Sequence, residues 1–269
     1  MPGQLYDLAA DFALPPSVFR TQPMEQFAVS TPFKLLFCYI PKNGCTKLKS
    51  LFLKLASADP GTYADLNAVH VSFSKQSNIR AANMPTHFLD EAVAGNDWIR
   101  AVILRDPLER FLSAYLDKIV GRENLAHFRL KGLKFGTDAA SMHTFLQNRS
   151  SWSFEPHFSL QKDACAFQTS WGYWNKILIY DGNEQSAELT SKMFDNRIDF
   201  PILHGWGGDG AIWSKRTSHS TANSEQKRIL LKNICGSQTL WAELLSYLQP
   251  DYDFFNFAPP RLCENYNPE

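Results

Sequence analysis

The chain has 269 residues, 44% of them hydrophobic, with 27 Lys and Arg against 27 Asp and Glu. That length supports one large domain, or a core with a small subdomain. The balanced charge argues against non-specific binding to nucleic acid or anionic membranes, local basic clusters aside.

In chain order, residues 1–32 carry five prolines and little periodicity, and they read as an irregular N-terminal arm. No basic stretch precedes an apolar core there, so a secretory signal is not expected. No run reaches the ~18 apolar residues that a membrane span needs. Residues 33–40, FKLLFCYI, form a nearly continuous apolar run, which suits a parallel strand covered on both faces. Leu48, Leu51, Phe52 and Leu55 then fall at i, i+3, i+4 and i+7, one helical stripe, with Lys47, Lys49 and Lys54 off it. Pro60 and Gly61 are expected to end this helix.

WIRAVIL, residues 98–104, repeats the strand signal, and RDPLERFLSAYLDKI, residues 105–119, follows it as a helix. Asp106 suits the N-cap, Pro107 the first helical position, and Glu109 the third position of a capping box. Two strand-to-helix units in succession predict an α/β fold, a P-loop-like parallel sheet flanked by helices.

Further on, SMHTFLQ reads as a helix, KILIY (176–180) as a third strand, and residues 184–194 as a helix. HGWGGDGAIW (204–213) reads as a loop, residues 223–248 as two helices, and PDYDFFNF as an aromatic segment packing back on the body. The expected organisation is one domain: the arm 1–32, a nucleotide-binding α/β core 33–200, and C-terminal loop and helices 201–269. The five cysteines are odd in number and widely spaced, which gives no disulfide framework, so reduced thiols are expected. No metal-ligand motif occurs, and no metal is expected.

The chemistry-bearing stretch is LLFCYIPKNGCTKLKSLF, residues 35–52. A loop between a buried strand and a helix lies at the carboxyl edge of the sheet, where ligands bind. The helix start offers N–H groups and a partial positive charge that can hold a phosphate. Lys42 adds a full charge, Gly44 allows close backbone approach, and Thr46 adds a hydroxyl. The helix dipole contributes about 0.3–1 kcal/mol, and a charge-assisted hydrogen bond about 1.5–3, so Lys42 dominates. The lysine precedes the glycine, which is not the Walker A order. An ordinary strand-to-helix turn with a surface lysine is the plainer reading of this loop alone. The second strand end adds Arg105, whose planar fork can clamp another phosphate, and Ser113, two helical turns on. Two adjacent anion loops suit a ligand with two separate anionic groups.

With these residues in place, YIPKNGCTKLK resembles the 5′-phosphosulfate loop of the membrane-type carbohydrate sulfotransferases (sulfotransferase family 2), and RDPLERFLSAYLDKI resembles their 3′-phosphate motif. FEPHFSLQKDAC (154–165) and YLQPDYDFFNF continue the resemblance more weakly. It implies the sulfotransferase fold and the donor 3′-phosphoadenosine 5′-phosphosulfate as co-substrate, with a carbohydrate or other hydroxylated acceptor. By the same resemblance, Lys42 binds the 5′-phosphosulfate and its bridging oxygen, while Asn43, Gly44, Cys45 and Thr46 line the loop. Arg105 and Ser113 hold the 3′-phosphate. Lys47 departs from the family pattern, the family's cysteine pair is reduced to Cys165, and the anchor of the Golgi relatives is missing. The last two departures favour a soluble bacterial-type enzyme over a lumenal, disulfide-bonded one. With Met1 as the native start the expected place is the cytoplasm; for a trimmed anchored relative it is the Golgi lumen.

Transfer to an alcohol needs a general base, and histidine is the usual choice near neutral pH. His87 in MPTHFLD comes first by the resemblance, His157 in the His-aromatic segment second, and His70 in HVSF is a rival. Each is equally readable as a structural or surface histidine. Lys118, Arg122, Arg129, Lys131 and Lys134 read as a solvated basic face, or as a stretch that steers an anionic glycan. Trp171, Tyr173 and Trp174 read as core, or as a stacking platform. KRTSHST (215–221) is a loose candidate for closing over the nucleotide. The competing functions are a P-loop kinase, which would need Mg²⁺, and a non-enzymatic nucleotide-binding module.

Overall fold

The computed structural model describes residues 4–7, 26–56, 68–122, 125–180, 189, 192–194, 197–198, 225–260 and 263. The expected features at 58–61, most of 184–194, 204–213 and 215–221 lie outside them. The chain forms two compact units. The first combines residues 1–105 with 163–218, and the second combines 106–162 with 219–269.

The first unit is built on a five-stranded sheet. Its strands are β1 (Gln4–Asp7), β2 (Phe27–Ser30), β3 (Leu35–Cys38), β4 (Ile99–Arg105) and β5 (Lys176–Tyr180), in the order β1-β5-β4-β3-β2. β3, β4 and β5 run parallel, with Leu35 opposite Ile99 and Arg105 opposite Tyr180. Leu35–Cys38 and Ile99–Leu104, apolar except for Arg100, are buried at every position, as central strands are. The two edge strands are antiparallel, β1 to β5 and β2 to β3. The irregular-arm reading of residues 1–32 therefore needs correction, since β1 and β2 come from it. Each is four residues long in a proline-bearing stretch, and it is the sheet edge that makes it a strand.

Among the described residues, the longer helices of this unit are α1 (Cys45–Leu55), α2 (Val69–Lys75) and α3 (Thr86–Ala94). Leu48, Leu51 and Phe52 of α1 are buried with Phe37, Ile103 and Leu178 of the sheet, so the predicted stripe is the one that packs. Burying one such side chain contributes about 1.5–3 kcal/mol. Arg100 is buried within β4. Its Nε donates to Tyr173 O, and one terminal nitrogen donates to the Val93 and Gly95 carbonyls. Those bonds offset the cost of burying the charge.

The cysteines also require correction. Cys38 bonds to Cys165 and Cys235 to Cys263, with Cα atoms 6.1 and 5.0 Å apart, and Cys45 alone is unbonded. Partners 127 and 28 residues apart leave no local spacing signal. The chain's path, which sequence spacing does not show, brings each pair together.

The second unit is helical: α4 (Pro107–Lys118), α5 (Ala139–Gln147), α6 (Glu225–Cys235) and α7 (Gln238–Phe255). Asp106 caps α4 by accepting from Glu109 N at 2.9 Å, and Pro107 takes the first helical position, as expected. α4 is buried nearly all round, the mark of a central helix. Its Phe111 joins Phe145, Trp152 and Phe158 in an aromatic core, where Phe145 stacks on Trp152 at 4.3 Å and Trp152 Nε1 donates to Phe145 O. Residues 250–255 also differ from expectation, since α7 continues through Pro250 to Phe255. Burial explains this. The Asp251 carboxylate accepts from Gln161 N and Lys162 N at 2.8 and 2.9 Å, and the Tyr252 hydroxyl accepts from Leu108 N while lying 3.4 Å from both Asp106 oxygens. Those bonds outweigh the local preference of proline. Among the described residues no helix is long and apolar enough to cross a membrane.

Candidate functional site

β3 ends at Cys38, and the chain turns through Pro41–Gly44 into α1. The turn is closed by Asn43 N donating to Ile40 O. The Asn43 side chain is buried, and its Nδ2 donates to Ile103 O in β4 at 2.9 Å, so it pins the loop to the neighbouring strand. With amide and backbone N–H both used internally, Asn43 contributes the loop's position. Lys42 and Gly44 have φ of 71° and 81°. Glycine accepts that conformation without strain, whereas the lysine is held in it by the turn. A Cβ on Gly44 would meet nothing within 4 Å, so the backbone there borders open space.

α1 starts with no side-chain cap and no acidic residue in its first turn. Its first N–H groups have no partner within the helix and carry the positive end of the dipole. Around this end lie Lys42, Lys47, Lys49 and Arg105. The Arg105 guanidinium donates to the Lys42 carbonyl at 3.2 Å, which joins the two predicted anion loops directly. Burial lowers the Lys47 amine to about 8. Burial also lowers Lys49, with Arg80 acting in the same sense and Cys45 against it. Ammonium groups stripped of water favour an incoming anion, which restores their charged form.

Thr46 lies in the first turn of α1. Its Oγ1 is 3.0 Å from His70 Nε2 on α2, and His70 Nδ1 is 3.3 Å from Lys49 Nζ. The rival base is therefore bound to the loop's own threonine, a contact that 24 residues of separation conceal in the sequence. The nearest hint is Val69 and Phe73, which are buried on α2 and leave His70 on another face.

His87 is exposed on α3, and its ring lies 4.3 Å from that of Phe88. It makes no hydrogen bond to the loop among the described residues. In the second unit, His157 is half-buried. Its Nδ1 donates to Glu155 Oε1 at 2.7 Å and its backbone N to Oε2 at 2.8 Å. The Nδ1 proton is thus directed at a carboxylate, and Nε2 is left as the basic nitrogen. Arg110 of α4 donates to the Pro156 and Ser159 carbonyls and holds this turn in shape. Ser113 is buried on α4. Trp174 is core, stacked on Phe27 at 6.0 Å.

Residues 25–258 match the sequence profile of the Sulfotransferase family. Carbohydrate sulfotransferase 11 of Rattus norvegicus is 27% identical over 127 residues, covering 44% of this chain and 33% of that protein. Carbohydrate sulfotransferase 9 of Homo sapiens is 31% identical over 98 residues, 35% of this chain and 20% of that one. Carbohydrate sulfotransferase 10 of Gallus gallus is 28% identical over 99 residues, 36% and 26% of the two chains. The matched stretches thus span a third or less of these relatives. No solved structure matches the chain.

Proposed function

Because the chain belongs to the sulfotransferase family, we propose that it moves a sulfuryl group from 3′-phosphoadenosine 5′-phosphosulfate to a hydroxyl of a carbohydrate or glycoconjugate. The observation that carries this reading is the Arg105–Lys42 bond, which fixes two cationic strand ends beside an uncapped helix start. The carbohydrate acceptor follows from the names of the relatives.

The acceptor oxygen attacks sulfur, the bond from sulfur to the phosphate oxygen breaks, and its electron pair leaves with adenosine 3′,5′-bisphosphate. Lys42 answers the charge that builds on that oxygen. Gly44, Cys45 and Thr46 offer N–H and hydroxyl donors to the 5′ group. Arg105 and Ser113 take the 3′-phosphate. The acceptor proton needs a base, and His87 and His157 are the proposed candidates. His157 has the better equipment, a basic Nε2 with Glu155 orienting the ring. The two disulfides fit an oxidising compartment better than the cytoplasm.

The test is incubation with radiolabelled donor and a panel of fractionated glycans. Label on a carbohydrate hydroxyl is expected. Tight binding of the desulfated nucleotide with no transfer to any hydroxyl would make this a nucleotide-binding module.

A further inference from the structure

We propose that His70 is a positioning residue that sets the direction of the Thr46 hydroxyl, with Lys49 fixing the tautomer of the ring. The inference rests on the donor-binding reading above. Lys49 is itself held in place. Its Nζ lies 4.2 Å from the Tyr39 ring centre and 5.3 Å from that of Phe73, and those rings meet edge to face. From there Nζ reaches His70 Nδ1.

An ammonium carries donors only, so the nitrogen facing it is the one without hydrogen. The imidazole proton is therefore on Nε2, and it points to Thr46 Oγ1 at 3.0 Å. Thr46 accepts this bond, which leaves its own hydroxyl proton to be donated elsewhere. Thr46 is in the first turn of α1, whose N–H groups mark the anion site. The relay from two aromatic rings through Lys49 and His70 to Thr46 makes a freely rotating hydroxyl into an oriented donor. Ordering before the ligand arrives lowers the cost of binding it. His70 sends its proton to Thr46 in this arrangement, so it is not the base that accepts the acceptor's proton.

The experiment is calorimetric titration of adenosine 3′,5′-bisphosphate into the full chain and four variants: His70→Ala, His70→Gln, Thr46→Val and the His70→Ala/Thr46→Val double. His70→Ala and Thr46→Val are each expected to weaken binding about 5–10-fold, the loss of one oriented hydrogen bond. The double variant should be no weaker than Thr46→Val, because both changes remove the same donor. His70→Gln should recover most of the affinity, since its amide N–H replaces the Nε2–H. Multiplying losses in the double variant, unchanged affinity in His70→Ala, or no rescue by glutamine would each overturn the assignment. So would a turnover loss of about 10²-fold or more at saturating donor with unchanged affinity, which would mark His70 as the proton acceptor. If the wild-type chain does not bind the nucleotide, the donor-binding reading itself falls, and this assignment with it.

Discussion

α1 in the first unit and α4 in the second each follow a β-strand, yet they begin in opposite ways. α4 opens on Asp106, which accepts from Glu109 N, with Pro107 behind it, and Glu109 is met by Lys227 at 2.7 Å. Its positive end is closed by the protein's own carboxylates. α1 opens on Gly44 with no side-chain cap, no acid in its first turn, and lysines on either side. A helix start closed by its own acid serves the fold, and one kept open among cations has room for an outside anion. The second unit adds an aromatic core around α4, whereas the first adds strained loop backbone and partly dehydrated amines. Perturbing the aromatic core of the second unit should therefore change stability, and perturbing the loop of the first should change activity.

The largest expected effect cuts across this contrast. Removing Cys38–Cys165 as a serine pair should cost about 5 kcal/mol in the chain-entropy model, against roughly 3.5 for Cys235–Cys263, because the closed loops differ in length. Denaturant unfolding of both variants checks the order. A larger cost for the shorter loop would show that local packing, and not chain entropy, dominates.

Trp152→Ala comes next and isolates the second unit. The fully buried ring, stacked on Phe145, should cost about 3–5 kcal/mol in urea unfolding. Lys42→Ala is its counterpart in the first unit. Turnover should fall about 10²–10³-fold at saturating donor while the melting temperature stays within a few degrees of wild type. An alanine variant with near-normal turnover would remove Lys42 from the chemistry.

The smallest effect concerns Lys47. Its amine is charged up to about pH 10.5 in the unfolded chain but only to about 8 when folded. The native state therefore binds fewer protons between those values, so this group makes stability rise with pH across that window. Lys47→Gln should flatten that rise, and urea midpoints from pH 7 to 10.5 would show it. Parallel curves for variant and wild type would mean that the amine keeps its ordinary protonation when folded.

The elements that bear the site were legible because their signals are local. Leu35–Cys38 and Ile99–Leu104 are short runs, apolar except for Arg100, the stripe of α1 has helical spacing, and Asp106, Pro107 and Glu109 spell a helix start. Features made by distant partners left no such mark. β1 depends on β5, far along the chain, and the disulfides on half-cystines 127 and 28 residues apart. α7 runs through Pro250 because Asp251 and Tyr252 find buried partners. Within the site, Lys42, Gly44 and Arg105 could be read from residue type and place, while the bond from Arg105 to the Lys42 carbonyl and the contact of His70 with Thr46 required the fold.

The central claim is that the open start of α1, with Lys42 and Arg105, receives a nucleotide with separate 3′ and 5′ anionic groups. Calorimetry with adenosine 3′,5′-bisphosphate, set against ATP with Mg²⁺, tests it most directly. The account predicts one site per chain for the bisphosphate, at least tenfold weaker in Lys42→Ala and in Arg105→Ala, and far weaker binding of ATP with or without the metal. Tighter binding of ATP–Mg²⁺, or bisphosphate affinity indifferent to both substitutions, would contradict it.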